Sequence, residues 1–457
     1  MLQRSRLQHL TTWQNKKTRK PLVIRGARQV GKSCLVRLFA EQASLDLMEI
    51  NLELHEDYIE CFTLKDPRQM TTLLELKASR KIQPGKTLLF LDEIQAAPHI
   101  LASLRYFYEL MPELHVIAAG SLLEFVLEEH TFSMPVGRIE YLHLGPMTFK
   151  EFLTGIGKEQ LSAFLEQFRI TDEFPKVIHN ELIKNFKIYC AVGGMPEAVQ
   201  VYQESGSMLE ADAVKQSILL TYRDDFSKYG QRGNRRLLQN VFQSLPLHVG
   251  QKLKYVNLDR NEKSTEVKKA LHLLEMARVY APIYHTAANG IPLRAECNQK
   301  VQKPLFLDVG LLTTACGMSY ADIVHVDDVS LINAGSLCEQ FIGQHLLYAR
   351  QPYEEPELFY WMREKRQASS EVDYVLSVGS RIFPVEVKAG KTGTLKSLQV
   401  FLQEKGCTLG VRFNADLPSL HEATFSLSKT SGMFRLLSLP LYLVEELPRL
   451  LGSIAHE

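Results

Sequence analysis

Between residues 20 and 145, short apolar runs alternate with amphipathic stretches. Pro21-Leu-Val-Ile-Arg25, residues 87–91 and His115-Val-Ile-Ala-Ala119 have no polar residue in their interiors, as expected of parallel strands covered on both faces. Ser33-Cys-Leu-Val-Arg-Leu-Phe-Ala40 follows the first run with a helical pattern. This alternation predicts a mostly parallel α/β sheet up to about residue 145. From Thr148 to about Glu204 the period becomes helical. Phe149, Phe152, Leu161, Phe164, Leu165 and Phe168 fall at helical spacing and are assigned to a core, and Gly193-Gly194-Met-Pro196 interrupts the region.

Residues 210–300 read as helices followed by a hairpin. Leu237–Leu245 is amphipathic, Gln251–Asn257 is a short second element, and Ser264–Ala277 is a third that opens with a capping signal. Val279–Tyr284 then reads as a strand, with Asn289-Gly290 as a turn. That order predicts a winged helix. In the last third, Gly335–Leu347 is a helix, Glu371–Gly379 and Arg381–Lys388 are two strands joined by a turn, and Lys396–Phe401 begins another helix. The expectation is an α/β multidomain chain: a nucleotide-binding parallel sheet over 1–145, a helical segment over 146–209, a winged-helix-like domain over 210–300 and an α/β domain over 301–457.

Composition changes this picture little. At 457 residues the chain is too long for one core. Its net charge of +1 gives no global argument for a nucleic-acid partner, so any basic surface has to be local. Seven cysteines without a C-x-x-C indicate neither a zinc site nor a disulfide framework, and free thiols suit a reducing cytoplasm. No apolar stretch is long enough for a bilayer, and Met1-Leu-Gln-Arg-Ser-Arg lacks a signal core, so the expectation is a cytoplasmic protein without a membrane partner.

The strand at 21–25 runs into Gly26-Ala27-Arg28-Gln29-Val30-Gly31-Lys32-Ser33, which fits G-x-x-x-x-G-K-[ST] in the right strand–helix context. Such a loop turns successive backbone N–H groups toward phosphate oxygens, and the helix N-terminus adds positive potential. Gly26 and Gly31 allow backbone conformations and close approaches that a Cβ would hinder. Lys32 is expected to reach the β- and γ-phosphates of ATP, and Ser33 to offer its hydroxyl to Mg²⁺. Asp92 and Glu93 sit at the C-terminal end of the second run, where open parallel sheets bind ligands. Asp92 is expected in the Mg²⁺ shell, with Glu93 polarising the attacking water. Ser121, at the tip of the third strand, is a candidate γ-phosphate sensor, an N-cap for 122–129, or both. Arg138 is either a finger-like charge or a structural ion-pair partner.

Together Arg25–Ser33, Leu89–Ile94, Ala119-Gly-Ser121, Gly137-Arg138 and Leu144–Phe152 resemble AAA-type (P-loop) ATPases, specifically a prokaryotic group with a distinctive C-terminal module. Ala191-Val-Gly-Gly-Met-Pro-Glu197 and Lys303-Pro-Leu-Phe-Leu-Asp308-Val-Gly310 extend the resemblance over most of the chain and are more particular to that group. It implies ATP hydrolysis and makes 146–209 the helical lid that follows the nucleotide sheet.

The C-terminal strands place Asp373 on one strand and Glu386 and Lys388 on one face of the next. With Glu339 on the preceding helix, the order resembles the PD-(D/E)XK restriction-nuclease fold. In that fold carboxylates coordinate a divalent metal and a lysine stabilises charge at the cut phosphate. Glu339, Asp373 and Glu386 are therefore candidate ligands of a second Mg²⁺ or Mn²⁺, Glu386 and Lys388 are candidate catalytic residues, and Glu371 shares the face of Asp373. The alternative is a set of surface ion pairs on an inert scaffold. Lys252, Lys254, Lys263, Lys268 and Lys269 supply charge for DNA binding by the winged helix, although Glu262 and Glu266 interleave them; a structural spacer or protein contact is the other reading. Lys228, Arg232, Arg235 and Arg236 form a second basic stretch. Three functions stay open: an ATPase coupled to a nuclease-like module acting on nucleic acid, a nucleotide-dependent switch binding another protein with that module inert, or a metal-dependent nuclease in which ATP only sets assembly. Assembly into an oligomer is left open as well.

Overall fold

A computed structural model describes residues 2–129, 135, 137–226, 234–324, 335–365, 368–388, 395–427 and 430–455. The chain divides into two compact units. The first holds residues 1–146 with the short pieces 276–278 and 350–355; the second holds the rest.

The first unit is built on five strands: β1 (Leu22–Arg25), β2 (Asp46–Asn51), β3 (Thr87–Asp92), β4 (His115–Gly120) and β5 (Glu140–His143). They lie in the order β2-β3-β4-β1-β5 and every pairing is parallel. Each residue of β3 and β4 is buried, which is why both read as runs rather than alternations. The helices Lys32–Gln42, Pro67–Ala78 and Ile100–Leu110 connect them. On one face Val23, Leu89, Leu91, Val116 and Ala118 pack with Leu101, Leu104 and Phe107.

The second unit begins with helices: Phe149–Gly155, Glu159–Gln167, Lys176–Val192, Pro196–Ser205 and Met208–Asp225. Phe149, Phe152, Leu165 and Phe168 are buried, as their spacing predicted. Helices Arg235–Ser244, Tyr255–Leu258 and Ser264–Met276 follow. The hairpin after them, β6 (Tyr280–Thr286) and β7 (Cys297–Phe306), does not stand alone as a wing. It is the edge of an eight-stranded sheet with β8 (Leu358–Lys365), β9 (Ala368–Val378), β10 (Arg381–Val387), β11 (Leu409–Asn414), β12 (Ser419–Leu427) and β13 (Thr430–Pro440), in the order β12-β13-β11-β10-β9-β8-β6-β7. β6 pairs parallel to β8 through Ile283–Leu358, Tyr284–Phe359 and His285–Tyr360, a long-range partnership that local pattern cannot announce.

The motifs around Gly194 and Asp308, 114 residues apart, fold onto one another. Asp308 is fully buried. Its carboxylate accepts from Gly194 N at 2.7 Å, from Leu311 N at 3.0 Å as the cap of helix Val309–Ala315, and from Gln344 Nε2 at 3.3 Å. Gln340, on the helix Ser336–Leu347, satisfies both backbone groups of Phe306. A buried side-chain amide thus serves strand ends that would otherwise lose their hydrogen bonds.

All seven cysteines are free. Among the described residues no helix is long and apolar enough to cross a membrane.

Candidate nucleotide site and C-terminal ion cluster

The loop 26–33 joins β1 to the helix Lys32–Gln42, and two glycines serve different needs there. Gly31 has φ 90°, the left-handed region that glycine enters without strain. At Gly26 a Cβ would lie 2.3 Å from Leu144 O, so glycine is required for a backbone crossing. Gln29 also has positive φ, 61°. Ala27 and Val30 are buried under the loop, and Arg28 donates from Nε to Ser121 Oγ at 3.3 Å.

Lys32 is 7% exposed. Its ammonium donates to Gly26 O at 3.1 Å and Ala27 O at 2.8 Å. Burial pulls its pKa down to about 8, against the opposing pull of Glu93 and Asp92. A phosphate oxygen is a stronger partner for this ammonium than two carbonyls. Ser33 Oγ donates to Asp92 Oδ2 at 2.7 Å, which brings together the two groups expected to hold Mg²⁺. Burial raises the Asp92 pKa, and the Ser33 bond opposes the rise. Glu93 follows with φ 52°; its Oε2 accepts from Gln95 Nε2 at 2.5 Å and from Ser121 Oγ at 3.5 Å. These donors and carboxylates fit a magnesium nucleotide. Ser121 thus lies between Arg28 and Glu93, whereas Arg138 is exposed and pairs with Glu109 at 2.9 Å.

The motifs did not disclose a second layer of charge. Glu124 bridges two arginines: Arg25 through Nε at 2.8 Å and also Nη2, and Arg278 through Nε at 2.9 Å and Nη2 at 2.7 Å. Arg278 also reaches Glu355 Oε1 at 2.7 Å. Its charge contributes to lowering the Lys32 pKa. Arg278 lies in a short piece about 250 residues beyond the loop, so no local pattern could tie it to this site.

The C-terminal candidates are brought to one region of the large sheet, with a lysine among them that the sequence reading did not assign. Lys303 of β7, with a side chain 1% exposed, donates to Glu371 Oε1 at 2.7 Å and Glu339 Oε2 at 3.3 Å, and lies 3.6 Å from Asp373 Oδ1. Its ammonium is 5.5 Å from the centre of the Tyr360 ring. Burial acts to lower its pKa, yet the Glu339, Asp373 and Glu371 carboxylates raise it well above the ordinary lysine value. Asp373 Oδ2 accepts from Val387 N at 2.8 Å. On β10, Glu386 Oε1 pairs with Lys388 Nζ at 2.7 Å, while Glu386 Oε2 is buried with no hydrogen-bond partner among the described residues. Burial raises the pKa of both Glu339 and Glu386. Among the described residues no three His, Cys, Asp or Glu side chains converge as a metal-holding group.

Lys263, Lys268 and Lys269 are exposed, Lys269 pairs with Glu266 at 2.9 Å, and Arg235 reaches Asp224 at 4.0 Å. Lys228 and Arg232 lie outside the described residues.

Three family models match the chain: an AAA domain over residues 18–153, and two domains of unknown function, DUF8612 over 183–322 and DUF4143 over 334–424. No curated protein matches. Similar solved structures include the Aeropyrum pernix Orc1 protein in complex with DNA (10% identity, 68% of this chain and 91% of that one, TM-score 0.27). Others are the Thermotoga maritima RuvB Holliday junction branch migration motor (13%, 61% and 89%, 0.28) and C. elegans PCH-2 (11%, 44% and 62%, 0.26). TM-scores this low bear on no residue of this chain. The family match, with the loop and parallel sheet described above, makes the N-terminal region an AAA-type P-loop ATPase domain.

Proposed function

We propose that this chain hydrolyses ATP in its first unit and that the nucleotide state governs a nuclease-like C-terminal module. The 2.7 Å bond between Ser33 Oγ and Asp92 Oδ2 carries the first half, because it sets the two magnesium-shell groups side by side next to Lys32. Ser33 and Asp92 would hold a Mg²⁺ ion, which would supply charge neutralisation to the phosphates of ATP. The chain's own groups do the rest. Backbone N–H groups of Ala27 through Ser33 hold phosphate oxygens, and Lys32 exchanges its carbonyl partners for phosphate. Glu93 orients and polarises the attacking water, and Ser121, next to Glu93 and Arg28, reads the γ-phosphate end. The test is turnover of the purified full chain. Glu93→Gln should bind ATP nearly as well as the parent and hydrolyse it about 10²–10⁴-fold more slowly. Equal turnover would sink the assignment.

For the C-terminal module the better-supported reading is a nucleotide-dependent interaction switch on a fold that no longer cuts, with another protein as partner. The buried Lys303 ammonium favours it, because it takes up carboxylate oxygens that a metal would need. The second reading is metal-dependent cleavage of nucleic acid by Asp373, Glu386 and Lys388 with Glu339. The Glu386–Lys388 pair beside Asp373 and the orphaned Glu386 Oε2 favour it. The helices at 235–276 and the β6–β7 hairpin would then serve as a winged-helix-like contact to DNA. Assays of ATP turnover with and without DNA and RNA, and of cleavage in Mg²⁺ or Mn²⁺, separate the two.

A further inference from the structure

The carboxylate cluster poses a charge problem. Glu339, Glu371, Asp373 and Glu386 face two ammonium groups, Lys303 and Lys388, in a region where three of the six side chains are less than 10% exposed. Isolated buried carboxylates are expensive, so such a set needs a cation or protons. In a metal-dependent site that cation is a divalent ion, held by carboxylate oxygens at about 2.0–2.6 Å.

Here the place is taken by the chain itself. Lys303 Nζ collects one oxygen from each of three carboxylates, on the helix Ser336–Leu347 and on β9, at 2.7, 3.3 and 3.6 Å. Asp373 has both oxygens engaged, one toward Lys303 and one on Val387 N. A divalent ion using Glu339 and Asp373 would sit within a few ångströms of the ammonium, and like charges that close in a poorly solvated site exclude each other. Lys303 cannot swing out easily. Its side chain is 1% exposed and its strand is fixed by pairing to β6 from Tyr280–Phe306 to Ile283–Lys303.

We infer that Lys303 is the built-in counter-cation of the C-terminal module, standing where a nuclease-like fold would carry its divalent metal, so that the module is folded and metal-free. The inference rests on the switch reading above. It also implies a latent site. Among the described residues the carboxylates around Lys303 do not converge as a metal-holding group, and with the ammonium removed the Glu339, Glu371 and Asp373 oxygens and the bare Glu386 Oε2 would have to draw together to accept a divalent ion.

Titration calorimetry with MnCl₂ on the full-length protein, without nucleotide, tests this. Wild type and the Asp373→Asn/Glu386→Gln double variant should give the same heats. Lys303→Gln should melt lower than wild type in EDTA and recover with Mn²⁺, which it should bind at least tenfold more tightly than wild type does. Mn²⁺ binding by wild type that the double variant loses would overturn the inference, as would a Lys303→Gln protein that melts like wild type in EDTA and ignores Mn²⁺. Should Lys303→Gln fail to fold, the comparison of wild type with the double variant decides alone. The switch reading fails separately. Cleavage of DNA or RNA that persists in EDTA would remove that reading and leave Lys303 as the counter-cation, whereas Mn²⁺ binding without cleavage would do the reverse.

Discussion

Replacing Gly310 by alanine should destabilise the second unit although Gly310 is helical. In a helix, alanine is favoured over glycine by about 0.5–1 kcal/mol. At Gly310, however, a Cβ would lie 2.5 Å from Gly193 Cα and 2.6 Å from both Gly193 N and Val192 O. All three are backbone atoms, so no rotamer change relieves the contact, and the two segments must separate by about 1 Å to reach an ordinary van der Waals distance. Overpacking of this kind costs about 1–3 kcal/mol. The separation also stretches the Asp308 bonds to Gly194 N and Leu311 N, and each buried group left unpaired costs about 1–3 kcal/mol more. The net expectation is a loss of about 3–5 kcal/mol, a large share of the 5–15 kcal/mol typical of a folded domain. Gly452 is the control. It also lies inside a helix, Leu447–Ala455, but its added Cβ meets nothing within 4 Å, so Gly452→Ala should stabilise by about 0.5–1 kcal/mol. The assay is urea unfolding followed through Trp361, buried against Phe401 in the second unit, in a Trp13→Phe background that silences the first unit. With a slope of about 2–3 kcal/mol/M, Gly310→Ala should lower the midpoint by about 1–2 M and Gly452→Ala should raise it slightly. A Gly310→Ala midpoint at or above the parent's would refute the claim that the two glycine motifs meet backbone to backbone.

Three other perturbations probe the rest of the chain. Lys32→Ala should abolish tight ATP binding, because it removes the ammonium that compensates phosphate charge in the loop; a fluorescent ATP analogue bound with unchanged affinity would contradict this. Glu124→Ala leaves Arg25 and Arg278 with Glu355 as their remaining shared partner, so the first unit should lose about 2–3 kcal/mol, read as a lower urea midpoint by Trp13 fluorescence; a change below about 0.5 kcal/mol would make the bridge a surface ornament. If the helices at 235–276 contact DNA, replacing Lys252, Lys254, Lys268 and Lys269 by Gln should flatten the dependence of affinity on salt, since each lost phosphate contact releases fewer counterions. Unchanged affinity and slope assign this region to spacing or protein contact.

The first unit was legible because buried parallel strands write themselves as continuous apolar runs, and the phosphate loop is a contiguous motif whose spacing carries its geometry. The strand order was not, since hydrophobicity says which residues are buried but not beside what. Ser121 is an instructive middle case: its position at a strand tip was readable, while its place between Arg28 and Glu93 depends on two other loops. Lys303 was hidden for another reason. A lysine in a sequence reads as solvated, and only partners 36, 68 and 70 residues further on make burial affordable. The local pattern of the hairpin at 280–306 is readable and ties it to the preceding helices alone, because its partner β8 lies beyond some fifty intervening residues.

That hairpin bears on how the chain can be cut or recombined. Because β6 lies between β7 and β8, a crossover anywhere from 287 to 357 separates strands that share a hydrogen-bond ladder. A fragment beginning at 301 would leave the edge of β8 bare, with Leu358, Phe359 and Tyr360 no longer covered by Ile283, Tyr284 and His285. An open edge with bulky apolar residues invites pairing with another copy. The smallest transplantable cassette that keeps this sheet whole therefore starts before Tyr280 and runs through Pro440, across the point between 322 and 334 where one family match ends and the next begins.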